Sequence, residues 1–332
     1  SYMQNADLFI LNHEFVFSTG GEAMEDKEYT LRNDPKYVKI LQELGTDEFP
    51  YLIKTAEDYA KLNNKTGKYI LVNDITLTNH TPVEDFAGVF DGNGKTITLK
   101  IDSANAYGMG LFASISGNIS NLTINGTVVA GAYSGALAGR VHSGAVIDGV
   151  TNNASVTGKD SQIGGLVGKN FSALIDNCEA NGSIKVNSKF TKVGAQTINV
   201  GGLVGWMVAD NAVVSNSKSS VSFDITTLDV PTVEDEKLTV NIGLLVGQNG
   251  GIAPASSMVS NCTYVVKDGS NTVNVTSSEK VLVTVDLVAN KVSSYNECSV
   301  DKDASVLVKK YGVAAEGAEA TVESEETITI PA

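Results

Sequence analysis

A short glycine-bounded apolar phrase returns at intervals along this chain, and each copy brings the same followers in the same order. The first phrase is typified by Gly-Leu-Val-Gly, the second by Ile-Asp-Asn-Cys, and the third is a brief apolar run. Leu122, Val150 and Cys178 hold the same place in successive second phrases, at intervals of 28 residues. Self-similarity at a period of about 20–50 residues indicates a repeat architecture. Copies of the first phrase lie at 110–113, 135–139, 165–168, 202–205, 243–247 and, in faded form, 286–289.

The repeat predicts an all-β fold. Each phrase is a run of Val, Ile, Leu, Phe or Ala bounded by Gly, Asn, Asp or Ser, which is typical of short strands separated by tight turns. No helical pattern separates the phrases, so crossover helices are not expected. We therefore predict a right-handed single-stranded parallel β-helix, a solenoid with three strands per coil and an N-terminal α+β cap. Its inward side chains should form apolar columns, with Leu137, Leu166, Leu203 and Leu245 in one of them.

Glycine and asparagine are expected at the corners of the coils. Gly139, Gly168, Gly205 and Gly247 follow the apolar pair of the first phrase, where we predict a bend that needs positive φ. Asparagine tolerates the left-handed region and bonds its own backbone, so it suits the corner in the second phrase. Stacked asparagines at one corner should also pair their amides along the axis.

These phrases resemble the GLUG motif, a repeat of bacterial surface and secreted proteins that include non-catalytic parts of immunoglobulin A proteases and large adhesins. The stretch 86–97, Phe-Ala-Gly-Val-Phe-Asp-Gly-Asn-Gly-Lys-Thr-Ile, is similar to the first rung of such proteins, and so are the preceding segments 53–62 and 69–75. The resemblance covers roughly residues 51–300. It implies the solenoid fold, and it brings no catalytic residues, because the motif describes corners and columns.

The domain organisation follows from where the repeat begins and ends. Residues 1–68 are predicted to form the N-terminal cap, with short helices at about 36–44 and 56–63. The β-helix is expected over 69–311, and residues 312–332 form an acidic tail that ends in a possible strand. Three coils carry predicted insertions, at about 185–200, 223–241 and 264–284.

Composition limits the partners and the compartment. The net charge is −14, which opposes binding to nucleic acid, and no run of about 18 apolar residues is present to span a membrane. We expect an extracellular or cell-surface location, although no signal peptide is visible. Neither a cofactor nor a metal site is expected, since three histidines are too few for a histidine-based zinc site. The three cysteines share one place in the second phrase and are expected to be free and buried: Cys178, Cys262 and Cys298.

One outward column carries the candidate site. The residue after the predicted corner is Arg140, Lys169 and Trp206 in three successive copies, and stacking should place these side chains in one row. Arg140 is one of two arginines and Trp206 is the single tryptophan. His142 is expected beside Arg140. An aromatic face beside cations suits a sugar ring or an anionic glycan, whereas the alternative is a solvated column in which Trp206 only packs.

The sequence predicts a non-enzymatic bacterial cell-surface or secreted module, with adhesion or glycan binding as its function and a glycan or a host or cell-surface ligand as its partner. The alternative is a polysaccharide-active enzyme, a lyase or glycoside hydrolase on the same scaffold. Asp148 and Asp176 occupy equivalent places about 5 Å apart, a spacing that a hydrolase could use. Their neighbours in the column, Ser120 and Ser215, are ordinary corner residues, so no catalytic residue is assigned.

Overall fold

In the computed structural model, the chain forms two compact units, Ser1–Pro50 and Tyr51–Ala332. The first unit, apart from Pro50, lies outside the described residues, and so does the predicted helix at 36–44. The structure describes residues 50–62, 66–78, 80–104, 106–187, 196–208, 211–225, 236–250, 257–267, 272–276, 280–290, 295–301, 306–311 and 321–328.

The second unit begins with a strand, a short helix and the first coils. Helix α1 (Ala56–Tyr59) is capped by Thr55, whose hydroxyl accepts a hydrogen bond from the Asp58 amide. It ends four residues earlier than the predicted helix 56–63. Strands as far as residue 130 are β1 (Tyr51–Ile53), β2 (Lys68–Leu71), β3 (Ile75–Thr78), β4 (Val89–Asp102), β5 (Phe112–Ile115) and β6 (Asn118–Ala130).

The middle coils repeat one arrangement, in which a strand with the first phrase is followed by three short strands. Two of these lie on either side of the corner in the second phrase. These strands are β7 (Ala138–Val141), β8 (Val146–Asp148), β9 (Thr151–Asn152), β10 (Ser155–Gly158), β11 (Ile163–Gly164), β12 (Val167–Asn170), β13 (Leu174–Asp176), β14 (Glu179–Ala180), β15 (Ser183–Val186), β16 (Gln196–Gly201), β17 (Val204–Met207), β18 (Val213–Ser215), β19 (Lys218–Ser219) and β20 (Ser222–Ile225).

The last coils follow the same plan and end in a different pairing. All strand pairs are parallel among the described residues except that of the last two strands, which is antiparallel. The remaining strands are β21 (Leu238–Asn249), β22 (Met258–Ser260), β23 (Thr263–Tyr264), β24 (Thr272–Thr276), β25 (Val281–Val288), β26 (Tyr295–Asn296), β27 (Ser299–Val300), β28 (Val306–Tyr311) and β29 (Val322–Ile328). The predicted final strand is therefore present as β29, and it covers an edge of the ladder.

The parallel β-helix prediction is confirmed by the register of these strands. The described strands form a 21-stranded sheet, the first sheet, and an 8-stranded sheet, the second sheet. The second sheet stacks the strands that carry the first phrase (β5, β7, β12, β17, β21). The first sheet stacks the strands of the other phrases. The four predicted leucines lie in one fully buried column, joined by backbone hydrogen bonds of 2.8–3.0 Å. Each buried leucine contributes roughly 1.5–3 kcal/mol of hydrophobic stabilisation.

Two boundaries differ from those that the sequence suggested. Strand β1 already pairs in parallel with β2, so the ladder begins at Tyr51 rather than at residue 69. The described ends of the three predicted insertions belong to the ladder, because β16 and β25 pair with β21 and β24 pairs with β20. The remaining insertion residues, 188–195, 226–235, 268–271 and 277–279, lie outside the described residues.

The corner prediction is correct for asparagine and wrong for the glycines of the first phrase. The second-phrase corner is left-handed in successive coils, with φ between 48° and 62° at Asn121, Gly149, Asn177, Asn216 and Asn261. The Asn261 amide donates to Asn216 Oδ1 at 2.6 Å, which confirms amide pairing along the axis. Gly168 and Gly205 instead lie inside β12 and β17 and are absent from the positive-φ residues. They are needed for space: a Cβ on Gly168 would lie 2.4 Å from the Tyr133 carbonyl carbon.

The cysteine prediction is also confirmed. Cys178, Cys262 and Cys298 are free and buried. They lie in the inward column of the second phrase, where each sulfur contacts backbone carbonyl oxygens of the same or the neighbouring coil.

Candidate functional site

Strand register brings three of the four predicted site residues into one row. Lys169 on β12 is the direct partner of Arg140 on β7 and of Trp206 on β17. Ser114 precedes Arg140 in the same row and Gln248 follows Trp206. Parallel neighbours lie about 4.8 Å apart, so the side chains of Arg140, Lys169 and Trp206 span about 10 Å.

The Lys169 ammonium group lies among aromatic rings. Its Nζ atom is 3.7 Å from the centre of the Tyr133 ring, 4.7 Å from that of Trp206 and 6.0 Å from that of Phe171. Each of these distances is within cation–π range. The lysine therefore joins the rings into one cluster rather than extending into solvent.

Three aromatic residues that were not predicted from the sequence complete this cluster: Phe171 and two tyrosines. The Arg140 guanidinium carbon is 5.5 Å from the Tyr133 ring centre, so Tyr133 contacts both cations. Tyr107 lies 5.9 Å from Tyr133, centre to centre, and is 61% exposed. We call the group the cationic strip, and its members are Tyr107, Tyr133, Arg140, Lys169, Phe171 and Trp206.

His142 lies beside the strip and contacts Phe171 rather than extending the row. The two rings stack at 5.4 Å with an interplanar angle of 9°. They follow Val141 and Asn170, which are register partners, so the stack continues the same pairing by one residue. His142 therefore packs against one face of the Phe171 ring.

Hydrogen bonds fix the orientation of Trp206. Its indole N–H donates to the Gly250 carbonyl at 3.1 Å, and the Gln248 amide donates to the same oxygen. Gln248 Oε1 accepts from Asn199 at 2.7 Å, and Asn199 accepts in turn from Asn241 at 2.8 Å. The indole N–H therefore has a hydrogen-bond acceptor within the protein. The side-chain amides of Gln248, Asn199 and Asn241 form a hydrogen-bonded series that ends at the same acceptor.

The strip is a cationic region on an acidic protein. Within the described part of the chain, neither Arg140 nor Lys169 forms an ion pair, whereas Lys61 and Lys185 do. Asp85 approaches the end of the row, but its carboxylate accepts a hydrogen bond from Ser114 at 2.9 Å. Burial, and secondarily the charge of Arg140, lowers the pKa of Lys169. Both cations therefore lack an anionic partner among the described residues.

The carboxylate pair considered for the enzyme alternative lies on the other sheet. Asp148 and Asp176 are register partners in β8 and β13. Asp176 Oδ1 accepts hydrogen bonds from Ser215 Oγ at 2.7 Å and Asn216 Nδ2 at 2.8 Å. This carboxylate braces the next corner, which is a structural role.

Metal-ligating clusters and membrane-spanning helices are both missing from the described residues. These residues contain no group of three or more His, Cys, Asp or Glu side chains arranged to hold a metal ion. The helices among them include none that is long and apolar enough to cross a membrane.

The fold and this row define a parallel β-solenoid with a cationic and aromatic strip on one sheet. The GLUG motif matches residues 160–187, the coil that contains Lys169, and this match confirms the resemblance to GLUG-motif repeat proteins. The chain is also 32% identical over 164 residues to halomucin from Haloquadratum walsbyi, which is 43% of this chain and 2% of halomucin. A putative immunoglobulin A1 protease from Bacteroides ovatus is a similar solved structure, with 17% identity, a TM-score of 0.47 and coverage of 86% of this chain and 82% of that one.

Proposed function

We propose that this chain is a non-enzymatic module of a bacterial cell-surface or secreted protein and that it binds a glycan through the cationic strip, as an adhesion contact. The observation that carries the proposal is the cluster in which Tyr133 and Trp206 enclose the Lys169 ammonium group beside Arg140. Such a surface offers directed donors beside the exposed Tyr107 ring, which is the combination that sugar hydroxyls and ring C–H groups need.

The fold supports this proposal by presenting the strip on rigid elements. Arg140, Lys169 and Trp206 are held by three consecutive strands, so their spacing is set by the backbone ladder. A site on strands keeps its geometry better than one on loops. The GLUG motif adds support for the surface or secreted setting, because the repeat is typical of such proteins.

A glycan array with matched variants tests the proposal. We expect the purified chain to bind a defined subset of glycans, and Trp206→Ala and Arg140→Ala each to weaken that binding at least about tenfold, as for central interface residues. Tyr295→Ala is the control, because Tyr295 is a partly exposed aromatic on the first sheet. It should bind like the unchanged protein. Unaltered binding by both strip variants, with circular dichroism confirming their fold, would refute the site.

A further inference from the structure

We infer that the ligand of the cationic strip is an acidic saccharide, whose carboxylate or sulfate group lies against Arg140 and Lys169 together. The inference rests on the proposed glycan binding and names the chemical class of the glycan. Three observations carry it: the two cations are adjacent, they lack a carboxylate partner among the described residues, and the ring faces beside them are already in contact with a cation.

The adjacency of the cations leaves a place for one negative group. Arg140 and Lys169 are register partners on neighbouring strands, and both side chains are half-buried. Like charges at this spacing disfavour each other, and partial burial reduces the screening by water. The lowered pKa of Lys169 agrees with this, since burial and then Arg140 are its causes. An anion in contact with both groups would relieve the repulsion.

Two lysines elsewhere in the described residues show how a carboxylate of the chain itself can neutralise a cation. Lys61 and Lys185 each approach a carboxylate within 3.5 Å. Among the described residues, the strip cations have no such neighbour, although the protein as a whole carries a net charge of −14. Asp85, at the end of the row, is engaged by Ser114. No described carboxylate occupies this place, so a bound ligand can supply the anion.

The aromatic contacts favour an acidic sugar over a neutral one. Lys169 lies over the rings of Tyr133 and Trp206, and the Trp206 N–H is bonded to Gly250. A neutral sugar that stacked on those two faces would have to displace the lysine. An acidic group can contact both cations without moving Lys169 away from the rings. Tyr107, which is 61% exposed, offers a ring face to the adjoining sugar.

The test uses pairs of oligosaccharides that differ in one kind of acidic group. One pair is a galacturonic acid hexamer and its fully methyl-esterified form, and the other is a chondroitin sulfate oligomer and its desulfated form, which keeps its carboxylates. Affinities are measured by calorimetry for the full chain and for Lys169→Gln, Arg140→Gln and Lys100→Gln. Lys100 is the control, because it is an exposed lysine on the first sheet. Arg140→Gln keeps the test decisive if Lys169→Gln does not fold.

We expect the more highly charged member of at least one pair to bind at least tenfold more tightly, or about 1.4 kcal/mol. That preference should vanish in Lys169→Gln and Arg140→Gln and persist in Lys100→Gln. The pair that shows it identifies the acidic group as carboxylate or sulfate.

Three results would overturn the inference, and they differ in what else they affect. Binding of the methyl-esterified hexamer as tightly as of the galacturonic acid hexamer, with equal binding of the two chondroitin forms, leaves glycan binding standing and removes the acidic class. Equal binding of polyglutamate shows general attraction to anions, which removes the saccharide. Absence of binding to every member and to the whole glycan array removes the proposed function as well.

Discussion

Replacing Gly168 by alanine should destabilise the solenoid through a collision between coils. An added Cβ would lie 2.4 Å from the Tyr133 carbonyl carbon and 2.5 Å from the Ser134 nitrogen. Ordinary contact begins at about 3.4 Å, so the neighbouring backbone must move by about 1 Å. Overpacking that forces side-chain and backbone shifts costs about 1–3 kcal/mol. Because these atoms belong to a hydrogen-bonded coil, we expect about 3 kcal/mol.

Gly144→Ala is the matched control, since it separates space from backbone conformation. Gly144 has φ +85°, and a Cβ added there would have no heavy atom within 4 Å. Alanine at this position meets only left-handed strain, which costs about 1 kcal/mol. The two glycines lie in adjacent coils, so both substitutions perturb the same region.

Guanidinium unfolding followed by circular dichroism measures both variants, with the midpoint and slope compared. We expect Gly168→Ala to lose about 2 kcal/mol more stability than Gly144→Ala. Equal losses in the two variants would refute the close-approach explanation. A shift of Tyr133 is a further consequence, because the backbone that must move carries this ring of the cationic strip.

Three other predictions concern stability and reactivity. Asn216→Ala should cost about 2 kcal/mol, and Asn216→Gly less, because the residue has φ 48° and its amide bonds Asp176; equal losses in urea unfolding would remove the role of φ. Tyr59→Ala should cost about 3–5 kcal/mol, since the ring is buried against Phe90 and Phe112, and an unchanged melting temperature would contradict that packing. At pH 8 the Cys178 thiol should resist alkylation until the protein is denatured, because burial raises its pKa to about 12, and rapid labelling of the native protein would argue against its burial.

The fold could be predicted from the sequence because aligned copies of a repeat show which residues of neighbouring coils are register partners. Copies of the first phrase align the four inward leucines without any knowledge of long-range contacts, and the structure buries all of them. The same alignment placed Arg140, Lys169 and Trp206 on consecutive strands. Inward columns and outward rows both follow from counting residues within the repeat.

The residues whose roles could not be predicted from the repeat act through contacts between turns and neighbouring coils. Tyr133 precedes its phrase, in a turn with φ 59°, and reaches Lys169 from the neighbouring coil. No spacing rule marks it, although an aromatic residue two places before the Gly135 phrase is a usable signal. The prediction for Gly168 was wrong for a related reason. A glycine in a repeat indicates either a positive φ or a close approach of a neighbouring backbone, and the sequence pattern is the same in both cases.

The single tryptophan permits the most direct test of the strip as a binding site. Trp206 is the only tryptophan of the chain, so all indole fluorescence reports on the strip. We predict that titration with the acidic oligosaccharide that binds best shifts or quenches the emission saturably. The same titration of Arg140→Gln should give at least a tenfold weaker response. Binding detected by calorimetry without any change in Trp206 emission would place the ligand elsewhere and contradict the account.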